Sequence, residues 1–130
     1  ICAYKEGGFM SSSIIVNRVK DVLARLGAPV PSEDIIRAEI DVDERFIGED
    51  YAVPSTESIA AIRELAQSDG VFVGPVYTGK GFAGMLDHLR QGKVPSRANI
   101  AFLHTGDTAN LFEVATVVGA ITDSLDQKGQ

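Results

Sequence analysis

The sequence lacks most of the features that mark extracellular, membrane and nucleic-acid-binding proteins. It has 130 residues and a single cysteine, Cys2, so no internal disulfide can form. No apolar stretch is long enough to span a bilayer or to act as a signal peptide. The net charge is -6 and lysine and arginine do not cluster, which argues against nucleic acid and membrane partners. These absences predict a single soluble, cytoplasmic unit.

Two kinds of catalytic motif are also missing. No set of histidine, cysteine and carboxylate residues has the spacing of metal ligands, so the sequence predicts no metal site. No G-x-S-x-G segment is present, which removes the best-known signature of a serine nucleophile.

What the chain does have is an alternation of short apolar runs with apolar residues at helical spacing. The runs predict strands at 1–4, 35–40, 71–73 and 99–103, and the spacing predicts helices at about 13–26, 56–69, 81–91 and from Leu111 toward Leu125. This order is typical of βαβ units. We therefore expect an α/β fold in which a mainly parallel sheet is flanked by helices, with 1–130 as one unit.

In such sheets ligands gather where strands end, and two polar segments fall at these positions. Tyr77 and Thr78 follow one predicted strand, and His104, Thr105 and Gly106 follow the next. The sequence therefore predicts a ligand pocket at this edge.

The segment GPVYTGKGFAG (74–84) nearly matches the phosphate-binding motif G-x-x-x-x-G-K-[ST]. Gly81 stands where the motif needs a hydroxyl to hold magnesium, so we do not expect nucleotide hydrolysis. Lys80 is then interpreted as a solvated residue at the start of a helix, and the nearby glycines as residues that allow a tight turn and close packing.

Two longer segments, DYAVPSTESIAAIRELAQSDGVFVGPVYTGKGFAGMLDHLRQGKVP (50–95) and NIAFLHTGDTANLF (99–112), carry a family resemblance. They resemble the carboxyl-terminal part of the D-cysteine desulfhydrase and 1-aminocyclopropane-1-carboxylate deaminase family. These enzymes depend on pyridoxal phosphate and have the tryptophan-synthase-β-like fold (fold type II). The Tyr-x-x-Pro, Pro-Val-Tyr-Thr-Gly-Lys and His-Thr-Gly segments stand in the family's order.

The resemblance implies roles for particular residues. Tyr77 and Tyr51 would be catalytic, flanking the amino-acid substrate and moving protons. Thr105 would bond to the pyridine nitrogen of the cofactor, with Thr78, Gly79 and Gly106 also at the cofactor. A neutral hydroxyl does not force protonation of that nitrogen as a carboxylate would, so the cofactor withdraws electrons less strongly. Thr78, where ring-opening deaminases usually carry Glu, favours β-elimination of the desulfhydrase or sulfo-lyase type, which releases ammonia and a keto acid.

Two departures from the family pattern leave the exact substrate open. Gly74 replaces an aspartate that is common before Pro-Val-Tyr, and Asp107 replaces a glycine that is common after His-Thr-Gly. The family's cofactor-attachment lysine and Gly-rich phosphate loop have no match here, so the chain is interpreted as the carboxyl-terminal portion of a longer enzyme and is expected to be inactive alone. Its expected partners are the amino-terminal remainder, a small amino acid and a second copy in a homodimer. The alternative is a non-catalytic small-molecule-binding module derived from this fold.

Overall fold

A computed structural model of the protein describes residues 12–119, and every element described there is helical. The elements are α1 (Ser12–Arg25), α2 (Glu33–Ala38), α3 (Thr56–Asp69), α4 (Thr78–Arg90), a 3₁₀ helix (Thr108–Glu113) and α5 (Ala115–Val118). The predicted strand at 1–4 and the part of the last predicted helix beyond Gly119 lie outside the described residues. From Leu111 to Val118 that prediction of one continuous helix is wrong, because the 3₁₀ helix ends at Glu113 and α5 begins at Ala115.

The first predicted helix is confirmed as α1, and its end follows from local chemistry. Gly27 has φ 66°, and the amide of Ala28 donates to the carbonyl of Leu23, so the last turn closes in a Schellman motif. A glycine adopts this left-handed conformation without the steric cost that a Cβ brings.

The predicted strand at 35–40 is wrong, because this segment contains α2. Ser32 is the N-cap, Glu33 and Asp34 lie in the first turn where the helix dipole favours acidic groups, and Arg37 bonds back to Glu33 one turn away. The Ser-Glu-Asp start is a helix signal that outweighed the two adjacent isoleucines.

Helix α3 has strong local signals at both ends, and its prediction is confirmed. The Ser55 hydroxyl accepts from the amide of Ser58 at 3.1 Å, and the Ser58 hydroxyl accepts from the amide of Ser55 at 2.9 Å, which is a reciprocal capping box. Gly70, with φ 66°, ends the helix.

Helix α4 begins at Thr78, three residues before the predicted start, and its predicted end at Gly92 is confirmed. It packs against α3 at very short range. A Cβ at Gly79 would lie 2.7 Å from Ile62 Cδ1, so only a glycine lets the amino end of α4 approach α3 this closely.

The core lies between these two helices and the segments that follow them. Phe102 contacts both buried clusters and meets Phe82 edge to face, with ring centroids 5.3 Å apart. The buried cluster residues are Ala61, Ile62, Val73, Phe82, Ala83, Leu111 and Val117.

The segments 71–73 and 99–103, predicted as strands, form neither a helix nor a paired strand within the described range. Val73 is buried, whereas Phe72 is half exposed and Leu103 is 81% exposed. The parallel sheet therefore stays a prediction. Among residues 12–119 no helix combines the length and apolar character needed to cross a membrane.

Candidate functional site

Three chain segments meet at the amino end of α4, and they carry the site residues predicted from the sequence. The loop before α3 carries Tyr51, the turn that leads into α4 carries Tyr77, and the turn before the 3₁₀ helix carries Thr105 and Gly106. The structure thus brings together parts of the chain that are roughly 25 residues apart, and a ligand pocket between them stays a prediction.

The two tyrosines predicted to be catalytic contact each other. Their hydroxyl oxygens are 2.7 Å apart, and the ring centroids are 5.9 Å apart with the planes inclined by 57°. Both rings are close to half exposed, Tyr51 at 50% and Tyr77 at 42%. A hydroxyl pair at this distance shares one proton along a hydrogen bond, so a charge that forms on one oxygen is stabilised by the other. The catalytic roles themselves stay predictions.

Lys80 holds the Tyr51 loop in place and is not the solvated residue that the sequence predicted. Its side chain is fully buried, and Nζ donates to the carbonyl oxygens of Ile47 at 2.6 Å and Asp50 at 3.1 Å. Gly48, with φ 82°, leaves room for the loop to close over the ammonium group, since a Cβ there would lie 3.3 Å from Nζ. Burial lowers the pKa of Lys80, and the nearby Asp50 opposes this shift.

Thr78 is also buried, and its hydroxyl is used inside the protein. Oγ1 accepts from the amide of Gly74 at 2.8 Å and lies 3.2 Å from the carbonyl oxygen of Gly106, to which it donates. This hydroxyl therefore joins the turn before α4 to the turn that carries Thr105. A contact between Thr78 and a cofactor stays a prediction, as does one for Gly79, whose position is explained by its packing on Ile62.

The Thr105 turn is fixed by its neighbour, His104. Nε2 of His104 lies 2.8 Å from the carbonyl oxygen of Phe72, and the amide of Gly106 donates to Nδ1. A carbonyl oxygen only accepts, so the ring carries its hydrogen on Nε2 and offers Nδ1 as the acceptor. The Thr105 side chain, in contrast, is exposed.

Asp107 places its carboxylate against the start of α4. Oδ2 accepts from the amides of Val76 at 2.8 Å and Tyr77 at 2.9 Å, and Oδ1 accepts from the side-chain amide of Asn110. Gly74 is what lets this turn come so close, because a Cβ there would overlap the Asp107 backbone carbonyl and lie 2.5 Å from its Cγ.

Sequence reasoning missed the functions of Lys80 and Asp107, although one signal was present for the lysine. A cation in the first turn of a helix is disfavoured by the helix dipole, so a lysine there indicates that something other than water holds it. No comparable local signal identifies the partners of Asp107, which lie 30 and 31 residues earlier in the chain. Within residues 12–119 no group of three or more histidine, cysteine or acidic residues is arranged to hold a metal ion.

Comparison with known proteins matches this sequence to one family. The sequence profile of the family described as "Pyridoxal-phosphate dependent enzyme" matches residues 10–106. This range contains Tyr51, Tyr77 and Thr105, and it covers well over half of the chain.

Three curated relatives carry the same printed name. The chain is 41% identical over 75 residues to "D-cysteine desulfhydrase" of Yersinia pestis (strain Pestoides F), which is 58% of this chain and 23% of that protein. The same figures apply to the protein of that name from Yersinia pseudotuberculosis serotype O:1b (strain IP 31758). The Klebsiella pneumoniae (strain 342) protein of that name is 32% identical over 106 residues, which is 81% of this chain and 32% of that protein. The chain thus spans a third or less of the length of these relatives.

Proposed function

Because the chain belongs to the pyridoxal-phosphate-dependent enzyme family, we propose that it forms the carboxyl-terminal part of a lyase that removes the β-substituent of a small amino acid. D-cysteine is the substrate that we favour, since the relatives carry the name D-cysteine desulfhydrase. With D-cysteine and water as reactants, the balanced products are pyruvate, ammonia and hydrogen sulfide. The observation that carries this proposal is the hydrogen-bonded pair of Tyr51 and Tyr77.

The described residues fit one side of a site for pyridoxal phosphate. Thr105 offers an exposed neutral hydroxyl on a turn that is bonded to the Tyr77 segment through Thr78 and Gly106, which suits a pyridine nitrogen. Lys80 does not suit covalent attachment, because its amine is buried and donates to two backbone carbonyls. We therefore propose that the attachment lysine and the phosphate loop belong to an amino-terminal part of the same enzyme, which acts as a homodimer.

Pyridoxal phosphate, when bound, supplies an electron sink that stabilises negative charge at the α-carbon of an amino acid. In our proposal the chain's own residues orient the substrate and move protons beside that carbon. Tyr77 donates or accepts a proton at its hydroxyl oxygen, and Tyr51 stabilises the charge that forms there through the 2.7 Å hydrogen bond. The segments 71–73 and 99–103 would supply strands to the parallel sheet of the complete enzyme.

The test is steady-state kinetics of the full-length protein on D-cysteine, L-cysteine, L-cysteate and 1-aminocyclopropane-1-carboxylate. Pyruvate and hydrogen sulfide should form from D-cysteine, and Tyr77→Phe should lower kcat by roughly 100-fold while the absorbance of bound cofactor is unchanged. The ring is retained in this variant and only the hydroxyl is lost. Phe46→Leu, which alters an aromatic ring at the α3–α4 core, is the control for general effects of packing.

Three results would decide against the proposal. Full turnover in Tyr77→Phe on every accepted substrate would reduce the tyrosine to a packing role. A preference for the cyclopropane amino acid would indicate a ring-opening deaminase. Tight binding of amino acids without any turnover would favour a binding module.

A further inference from the structure

Asp107 is an acidic residue beside the tyrosine pair that the proposed reaction does not use. Its two carboxylate oxygens already accept three hydrogen bonds, from the amides of Val76 and Tyr77 and from the side chain of Asn110. A carboxylate committed in this way to fixed donors is poorly placed to take a proton from a substrate. Its contribution must therefore be sought in the groups that it binds.

Those groups lie at the entry to α4. Thr78 is the first helical residue, and Tyr77 is the N-cap, with φ -123° and ψ -63°, and no side-chain hydrogen bond of its own caps the helix. Asp107 therefore places, from another part of the chain, a carboxylate on the two amides just before the first helical residue, where the helix dipole favours a negative charge. The same two hydrogen bonds fix the two peptide planes on either side of Val76, and the second of these planes leads into Tyr77.

The backbone of Asp107 adopts a conformation that needs a reason. Its φ of 73° places a non-glycine residue in the left-handed region, which is disfavoured for a residue with a Cβ and is best tolerated by Asp and Asn. The absence of a side chain at Gly74 leaves room for this turn, since a Cβ there would overlap the Asp107 backbone. The left-handed backbone of Asp107 and the missing side chain at Gly74 together allow the carboxylate to reach the Tyr77 amide.

We propose that Asp107 is a positioning residue for Tyr77. By holding the amides of Val76 and Tyr77, it sets the direction in which the Tyr77 side chain leaves the backbone and so places its hydroxyl against that of Tyr51. Displacing a catalytic group by about 1 Å can cost roughly 100-fold in rate, so an effect on turnover follows without contact with the substrate. The kinetic part of this inference rests on the proposed function, whereas the structural part does not.

The experiment uses the full-length protein and two substitutions that suit the left-handed backbone. Asp107→Gly removes the acceptor and relieves the backbone, while Asp107→Asn keeps an acceptor oxygen in nearly the same place. Asp43→Asn is the control, because Asp43 also accepts a backbone amide, that of Arg45 at 3.0 Å, at a distance from the tyrosine pair. All variants are made in the wild-type and in the Tyr77→Phe backgrounds.

The first measurement is amide hydrogen exchange, resolved to single residues by fragmentation mass spectrometry. Asp107→Gly should raise exchange at Val76 and Tyr77 roughly tenfold or more. Exchange at Gly79, whose amide is bonded to the Gly74 carbonyl at 2.7 Å, should change much less. Asp107→Asn should give an intermediate rise and Asp43→Asn none. Unchanged exchange at Val76 and Tyr77 in Asp107→Gly would overturn the proposal.

The second measurement is kcat on D-cysteine. Asp107→Gly should lower kcat by roughly 10- to 100-fold with little change in KM, Asp107→Asn should restore most of the loss, and Asp107→Gly should have no further effect in the Tyr77→Phe background. An equal loss in both backgrounds would overturn the positioning role. If the wild-type protein turns over none of the tested amino acids, the proposed function fails, and the exchange result alone decides the role of Asp107.

Discussion

The two ends of helix α4 both carry polar side chains, but they use them in opposite ways. At the amino end, Thr78 and Lys80 are buried and bond to backbone groups of distant segments. At the carboxyl end, Asp87, His88 and Arg90 are more exposed and pair with charged side chains of Asp43, Arg45 and Glu64. The amino end thereby fixes the shape of the two tyrosine-bearing segments, whereas the carboxyl end forms side-chain pairs, of which those made by Asp87 and Arg90 are partly exposed.

The difference shows which contacts select a single conformation of the chain in this small unit. A buried ammonium group is tolerated only if the backbone carbonyls that replace water are in the right place, so it selects one conformation of the loop before α3. An exposed ion pair gains little over hydration and is compatible with several local arrangements. The comparison leads to four predictions.

Lysine reactivity should separate the two environments most strongly. When pyridoxal phosphate is added to the protein and the product is reduced with borohydride, Lys93, exposed just beyond α4, should be labelled readily. Lys80 should react roughly 100-fold more slowly, because its buried amine reacts only when the loop opens. Peptide mass spectrometry gives both rates in one sample, and equal labelling of the two lysines would show that Lys80 is accessible.

Removing the buried ammonium should destabilise the protein. Lys80→Met keeps the length and the apolar stem but leaves the carbonyls of Ile47 and Asp50 without their donor, which should cost about 1–3 kcal/mol in the free energy of unfolding. Lys93→Met is the control and should change it by less than about 0.5 kcal/mol. Denaturant unfolding measures both changes. A Lys80→Met variant as stable as the wild type would mean that the two hydrogen bonds of Lys80 contribute nothing to the free energy of unfolding.

The two ends should respond to pH in separate windows. The pKa of Lys80 is lowered from its ordinary value of 10.5, so the folded state binds fewer protons than the unfolded state just below that pH. Stability relative to Lys80→Met should therefore rise as pH increases toward 10.5. The pKa of Asp43 is held well below its usual 3.8, chiefly by its hydrogen bonds with Arg45, so its contribution should be lost only as pH falls below that value.

Unfolding free energies at several pH values check both directions against Lys80→Met and Asp43→Asn. A wild-type advantage over Lys80→Met that shrinks between pH 8 and 10.5 would reverse the sign of the first effect.

The smallest effect is expected at the exposed carboxyl end. Arg90 bonds to both carboxylate oxygens of Glu64, at 2.7 and 3.0 Å, yet both side chains are at least half exposed. Arg90→Ala should therefore cost less than about 1 kcal/mol, and salt should diminish the difference. Measurement of unfolding at low and high ionic strength tests this, and a larger cost that salt does not change would mean that the pair acts through packing.

Much of this molecule followed from local signals. Helices α1 and α3 and the end of α4 were predicted from apolar spacing, serine caps and glycine stops, all of which act within one or two turns of chain. Helix α2 had such a signal in Ser32 and Glu33 but was misread from its isoleucines. The segments that carry Tyr51, Tyr77 and Thr105 were identified from their resemblance to one enzyme family, which the profile over residues 10–106 confirms.

The sequence by itself determined helices α1, α3 and α4, the family and the candidate tyrosines, because each is encoded in short stretches whose meaning does not depend on distant residues. Only the tertiary structure decided that Lys80 is buried beneath the Tyr51 loop, that Thr78 bonds inward, and that the Asp107 carboxylate reaches the Tyr77 amide. The contact of Lys80 joins residues that are 33 positions apart. The contact of Thr78 with Gly74 spans only four positions, but it closes the turn that leads into α4. No local pattern specifies which distant backbone group a buried side chain will meet.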